Sequence, residues 1–219
     1  MEKLYHLVHG EFEGEQLNPT QANDRDANPY VYATSQLNEA LPYASPNGTR
    51  IFCHTIPETN MTFAVIPNRE EFLKNSKVQG VVYELPMESF VKSPHHETQY
   101  ISKQPITKSE MKEVARLNSI EDVMKAGLHV LFTDEPHTAE NHGFYEDIMN
   151  DPDFPNNMKY YVDTGVFSYE NETAGINASP FLSSSVDLEK TSELQIKPAE
   201  IAKTPANVAP RKTSDGLRR

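Results

Sequence analysis

The chain contains no tryptophan and a single cysteine. One cysteine excludes an intrachain disulfide and any cysteine-based zinc cluster. That residue, Cys53, sits in the apolar run Arg50-Ile51-Phe52-Cys53-His54 and is expected to be a buried structural thiol rather than a nucleophile. Glycine is scarce, at nine residues, and none has the spacing of a loop that cradles phosphate. There is no Gly-x-Ser-x-Gly elbow of a serine hydrolase. No apolar run approaches the roughly 18 residues of a membrane span. The start Met1-Glu2-Lys3 lacks the basic segment and apolar core of a cleaved signal. The expectation is a cytoplasmic chain with no membrane partner, with secretion through an uncleaved signal left open.

Hydrophobic residues are also few, at 37%, against roughly 45–50% (glycine included) in globular domains. Their distribution explains the shortfall. Apolar runs cluster before residue 135, and the end of the chain has almost none. Charge divides in the same way. Of the formal −12, residues 183–219 contribute seven Lys/Arg and five Asp/Glu, leaving 13 Lys/Arg and 27 Asp/Glu in the body. A body at −14 repels a phosphate backbone and an anionic membrane surface, which need clustered Lys/Arg. No nucleic-acid binding is expected; a protein partner is compatible with this charge, as is one small nucleotide.

What is there reads as a mixed α+β domain, a mainly antiparallel sheet with short helices. Lys3 to His9 is rich in strand formers and stops at Gly10. Tyr30 to Thr34 is a second strand. Ser35 to Ala44 places Leu37, Ala40, Leu41 and Ala44 at helical spacing behind Thr34 or Ser35 as cap. Residues 50–56, 61–66, 80–86 and 128–132 read as further strands, with one more opening at Tyr100-Ile101-Ser102. Lys108 to Leu117 reads as helix, from Met111, Val114 and Ala115. Ser119 caps another helix that Gly127 stops. These assignments give a core domain over 1–134. Residues 135–182 form a looser extension that packs on the core or acts as a lid. Within it, Phe144 to Met149 is one or two helical turns, and residues 160–169 read as a hairpin across Asp163-Thr164-Gly165. Residues 183–219 are Ser, Lys, Pro, Thr and Ala with little to bury, and are expected to be a disordered tail.

No metal-ligand spacing stands out among the histidines, and no metal is expected: His95-His96 point apart on extended chain, and His129, His137 and His142 are scattered. The remaining chemistry lies at strand ends. His6 and His9 are on the first strand, Tyr32, Thr34 and Ser35 end the second, and Glu97, Gln99 and Tyr100 open a later one. Polar side chains at strand ends facing one cleft commonly hold a ligand. Half-buried packing with a satisfied polar tip is the plainer alternative.

These segments carry a resemblance. Leu4-Tyr5-His6, then Tyr30-Val31-Tyr32-Ala33-Thr34 with its following helix, then Gly80 to Pro86, then Tyr100 to Ile106, resemble small bacterial domains with an ADP-ribosyltransferase-like fold, over about residues 3–133. The resemblance implies that NAD is the substrate, with a histidine on the first strand and a tyrosine or hydroxyl residue on the second holding its nicotinamide and ribose. It implies an acidic residue opening a later strand, beside the developing ribosyl cation, and transfer of ADP-ribose to a macromolecular target. His6 takes the first position by following Leu4-Tyr5, while His9-Gly10 preserves the glycine that Leu7 replaces after His6. Tyr32, Thr34 and Ser35 are the candidates for the second. At the third position stands Gln99, an amide without charge. Glu97, two residues away and on the same face of a strand, is the alternative. Arg25 and Arg50 are the nearest cations for the phosphates. A protein-interaction module with a degenerate site, or an unrelated α+β accessory protein, is the alternative reading.

Overall fold

A computed structural model describes residues 3–20, 28–46, 49–56, 59–151 and 153–176. The proposed tail and Arg25 lie outside the described residues. In chain order the elements are β1 (Leu4–His9), β2 (Gln16–Leu17), β3 (Val31–Thr34), α1 (Leu37–Ala40), β4 (Phe52–Ile56), β5 (Met61–Ile66) and α2 (Arg69–Asn75). There follow β6 (Gly80–Leu85), β7 (Val91–Lys92), β8 (Gln99–Ser102), β9 (Ile106–Thr107), β10 (Lys112–Leu117), α3 (Ile120–Lys125) and β11 (Leu128–Phe132). The last are α4 (His142–Met149), α5 (Phe154–Asp163), β12 (Ser168–Tyr169) and α6 (Glu170–Thr173). A 3-10 turn, Leu41–Ala44, continues α1 directly.

The strands form two main sheets and a small pair, β2 with β9. The first sheet has the order β10-β6-β1-β3-β8-β7 and is antiparallel throughout. The second has the order β12-β11-β5-β4, with β11 parallel to β5. The architecture is thus mixed α+β and mainly antiparallel, with short helices.

Alternation along the strands explains the layering. On β6, Val81, Tyr83 and Leu85 point to an outer core with Leu4, Leu17 and Ile106, and Val82 points the other way. Val82 and Leu7 meet Ala64, Ile66, Leu128, Val130 and Phe132 of the second sheet in a central core, closed by Leu41, Phe72, Val123 and Met124. Phe63, Val65 and Leu131 face outward onto Tyr145 and Ile148 of α4 and Phe154, Met158 and Tyr161 of α5. The second sheet is covered on both faces, so Thr62 to Ile66 is buried throughout and reads as an unbroken apolar run.

Three expectations are corrected. Lys108–Leu117 is a 3-10 turn and strand β10, not a helix. The register against β6 shifts between Glu113 and Ala115. The bulge turns Val114 out to 40% exposure and gives a strand the three-to-four spacing of a helix. Residues 160–163 end α5 rather than forming one arm of a hairpin: Phe154, Met158 and Tyr161 share its buried face, and that packing outweighs the strand propensity of Tyr-Tyr-Val. Cys53 is exposed. It lies on β4, at the edge of the second sheet, and alternates with Phe52 and His54, which turn toward the α4–α5 layer.

Candidate functional site

The segments singled out in the sequence fall on three neighbouring strands, β1, β3 and β8. Tyr5 lies opposite Thr34, Thr34 opposite Gln99, and Tyr32 opposite Ile101. Directly opposed residues share a face, so Tyr32, Thr34 and Gln99 stand on one face, and α1 packs across it against β1 and β3. The result is a notch with β3 and β8 as floor and α1 as wall.

A carboxylate sits in the notch. Glu39 Oε2 accepts the hydroxyl hydrogens of Thr34 and Thr98, both at 2.6 Å. Thr34 Oγ1 in turn accepts the Gln36 backbone N–H at 3.1 Å, and Ser35 N–H donates to the Thr98 carbonyl at 2.9 Å. Glu39 makes no salt bridge among the described residues. Gln36 Oε1 is buried and has no hydrogen-bond partner among them. The notch is rich in acceptors and carries negative charge, which suits a ligand with hydroxyl or amide donors and positive charge.

His6 belongs to the opposite face of β1 by alternation with Tyr5. Its ring turns into the seam between strands, where Nδ1 donates to the Tyr32 carbonyl at 2.7 Å. Burial pulls the imidazole below its ordinary pKa, partly opposed by that hydrogen bond. At neutral pH the ring is uncharged, with Nδ1 protonated and Nε2 an acceptor. His9 is exposed at the far end of β1, opposite Gly80, about 13 Å along the strand from Tyr5. Glu97 is exposed in the loop before β8. Arg50 lies over the Phe52 ring at 6.0 Å, on the second sheet.

The sequence reading missed Glu39 and Thr98. For Glu39 the local sequence offers only an acid in the first turn of a helix. The available signal was its place off the Leu37/Ala40/Leu41/Ala44 stripe that α1 buries. A separate cavity of about 470 Å³ opens after β11 and includes Thr133, Asp134, Glu135, Glu140 and Tyr145 in its wall. None of the candidate site residues read from the sequence lines it, and its three carboxylates repel a diphosphate. Among the described residues no three His, Cys, Asp or Glu side chains converge as metal ligands, and no helix is long and apolar enough to cross a membrane. Comparison with protein-family models, curated proteins and solved structures finds no match to this chain.

Proposed function

We propose that this chain is a nucleotide-binding domain that takes NAD in the notch between α1 and the β3–β8 floor, and that it transfers ADP-ribose to a macromolecular target. The supporting observation is the adjacency of β1, β3 and β8, with Thr34 directly opposite Gln99. Thr34 and Gln99, distant in the chain, meet on one face of the sheet, while His6 turns from the opposite face into the seam beside the Tyr32 carbonyl. In this reading Thr34, Ser35 and Gln99 offer hydroxyl and amide groups to the ribose and carboxamide. His6 braces β3 through the Tyr32 carbonyl, and Nε2 is its remaining acceptor. Transfer breaks the bond between ribose C1′ and the nicotinamide nitrogen. The electron pair leaves with nicotinamide, C1′ becomes cationic, and an acceptor lone pair forms the new bond as its proton departs. Negative charge beside C1′ lowers that barrier by several kcal/mol in comparable sites.

The test is calorimetric titration of NAD into the full chain, with Thr34→Val and Gln99→Leu as comparisons. Saturable binding below about 1 mM, weakened at least about tenfold in either variant, supports the site. No saturable binding at millimolar NAD overturns it. The uncharged Gln99 and the exposed Glu97 favour a second reading, a module that binds without turnover. Saturable binding with no release of free nicotinamide on prolonged incubation would select it.

A further inference from the structure

We propose that the cavity beyond β11 is a second binding site, and that it takes a linear aliphatic diamine or longer polyamine, a ligand whose separated ammonium groups are joined by an apolar chain. The proposal stands apart from the nucleotide reading, because no residue of the notch lines this cavity.

The fold places the cavity where a ligand can be held. Phe132 ends β11, and the Thr133 N–H continues the parallel pairing by donating to the carbonyl of Ile66, the last residue of β5, at 3.1 Å. The cavity therefore opens at the carboxyl ends of the parallel pair, a common position for ligands in parallel sheets. Its volume of about 470 Å³ lies in the range of small-molecule sites, roughly 300–1,000 Å³.

The wall sets the charge of the ligand. Asp134, Glu135 and Glu140 line it, and no Lys, Arg or His does. The three carboxylates form no salt bridge among the described residues. Arg69, whose charge reaches Asp134, is already engaged, with both oxygens of Glu170 accepting from its guanidinium at 3.0 and 3.3 Å. The C-terminal end of α5, the negative end of its dipole, enters the wall through Thr164 and Gly165, with no basic residue in its last turn. α4 begins at the same wall, but the positive end of its dipole is met within the protein by Glu140, two residues ahead of His142.

The rest of the wall sets the shape of the ligand. Phe144 and Val166, both half-buried, and Pro136 give apolar contact, which suits methylene groups. Thr138, Thr164 and Ser168 add hydroxyl oxygens that can accept from an ammonium. The carboxylates do not converge on one point, since among the described residues no three His, Cys, Asp or Glu gather as metal ligands. Acids spread around an apolar wall fit a chain with an ammonium at each end better than one compact ion, which needs its oxygens gathered at a single centre.

The experiment is calorimetric titration of the full chain with 1,4-diaminobutane and separately with magnesium chloride, both of charge +2, in about 150 mM sodium chloride to screen bulk attraction. Two double variants are titrated alongside, with thermal unfolding of each. Glu135→Gln with Glu140→Gln removes two charges from the wall. Glu13→Gln with Glu88→Gln removes two exposed charges from connections of the first sheet, so the net charge of the two variants is the same. The expected result is saturable diamine binding by the wild type, at least about tenfold tighter than magnesium. The wall variant weakens the diamine at least about tenfold, the control variant changes it by less than about twofold, and both melt near the wild type. Equal affinity for diamine and magnesium, or equal weakening in the two variants, reduces the cavity to the general attraction of an acidic surface and overturns the proposal. Absence of saturable diamine binding at about 10 mM overturns it as well. The comparison of diamine with magnesium uses the wild type alone, so it decides the proposal whatever the stability of the variants.

Discussion

At the scale of single residues, the second sheet owes much to side chains that imitate backbone. Asn171 is fully buried. Its Oδ1 accepts the Val130 N–H at 2.7 Å, and its Nδ2 donates to the Leu128 carbonyl at 2.8 Å. It extends the short β12 along the edge of β11. Asn171→Ala leaves two buried main-chain groups without partners, and we expect a loss of about 2–5 kcal/mol in urea unfolding, with Asn171→Asp recovering only the acceptor half. Histidines impose a pH limit on the same scale. His129 stacks on Phe63 at 4.8 Å and shares a 2.7 Å hydrogen bond with the Tyr169 hydroxyl. Burial lowers its pKa, as it does for His6 and, together with Arg50 and His142, for His137. The folded state then holds fewer protons than the unfolded chain. Stability is full above the unfolded value near 6.5 and is lost as pH falls from there through the lowered folded values. The urea midpoint should drop between pH 7.5 and 5.5, and His129→Gln should flatten that dependence. An unchanged slope in the variant would mean that His129 titrates as in the open chain.

At the scale of elements, α4 and α5 complete the second sheet. Phe154 is 1% exposed, stacks on His54 at 4.2 Å and meets Phe63 edge-on at 5.2 Å. His54 Nδ1 also donates to the Met149 carbonyl in the last turn of α4 at 2.6 Å, so one edge-strand side chain joins both helices to β4. Phe154→Ala should cost about 3–5 kcal/mol in equilibrium unfolding. A loss below about 1 kcal/mol would show that α5 contributes little to the core. Elements with regular patterning were legible in the sequence. β1, β3, β5, β6 and β11 announce themselves by β-branched and aromatic residues between turn signals, and α3 by Ser119, which accepts the Asp122 N–H at 3.1 Å. β10 was illegible because its bulge distorts the period. α5 was illegible because its helix depends on burial against distant aromatics, which no local window contains. The candidate site was half legible. Strand ends point to Thr34 and Gln99, but the hydrogen bonds of Glu39 depend on how α1 folds back over β3.

At the scale of the whole molecule, two sheets and three apolar cores are wrapped in a surface of strong negative charge. Ion pairs offset little of it. Lys3–Glu84 and Arg116–Glu11 are half-exposed or more on at least one side, so solvent screens most of their attraction. Self-repulsion should therefore be visible. The melting temperature should rise by a few degrees between about 20 and 300 mM sodium chloride, as the screening length falls below the spacing of surface charges. A flat or falling dependence would mean that local pairs dominate the surface.

The parallel pairing of β11 with β5 also bears on synthesis at the ribosome. Roughly sixty residues, including β6 to β10, separate the two strands, and a loop of that length must be gathered before they can pair. A nascent chain that has emerged only through β10 already holds every strand of the first sheet, while β5 still shows a bare apolar edge. Until the next segment leaves the exit tunnel, that edge is open to chaperones and to neighbouring nascent chains.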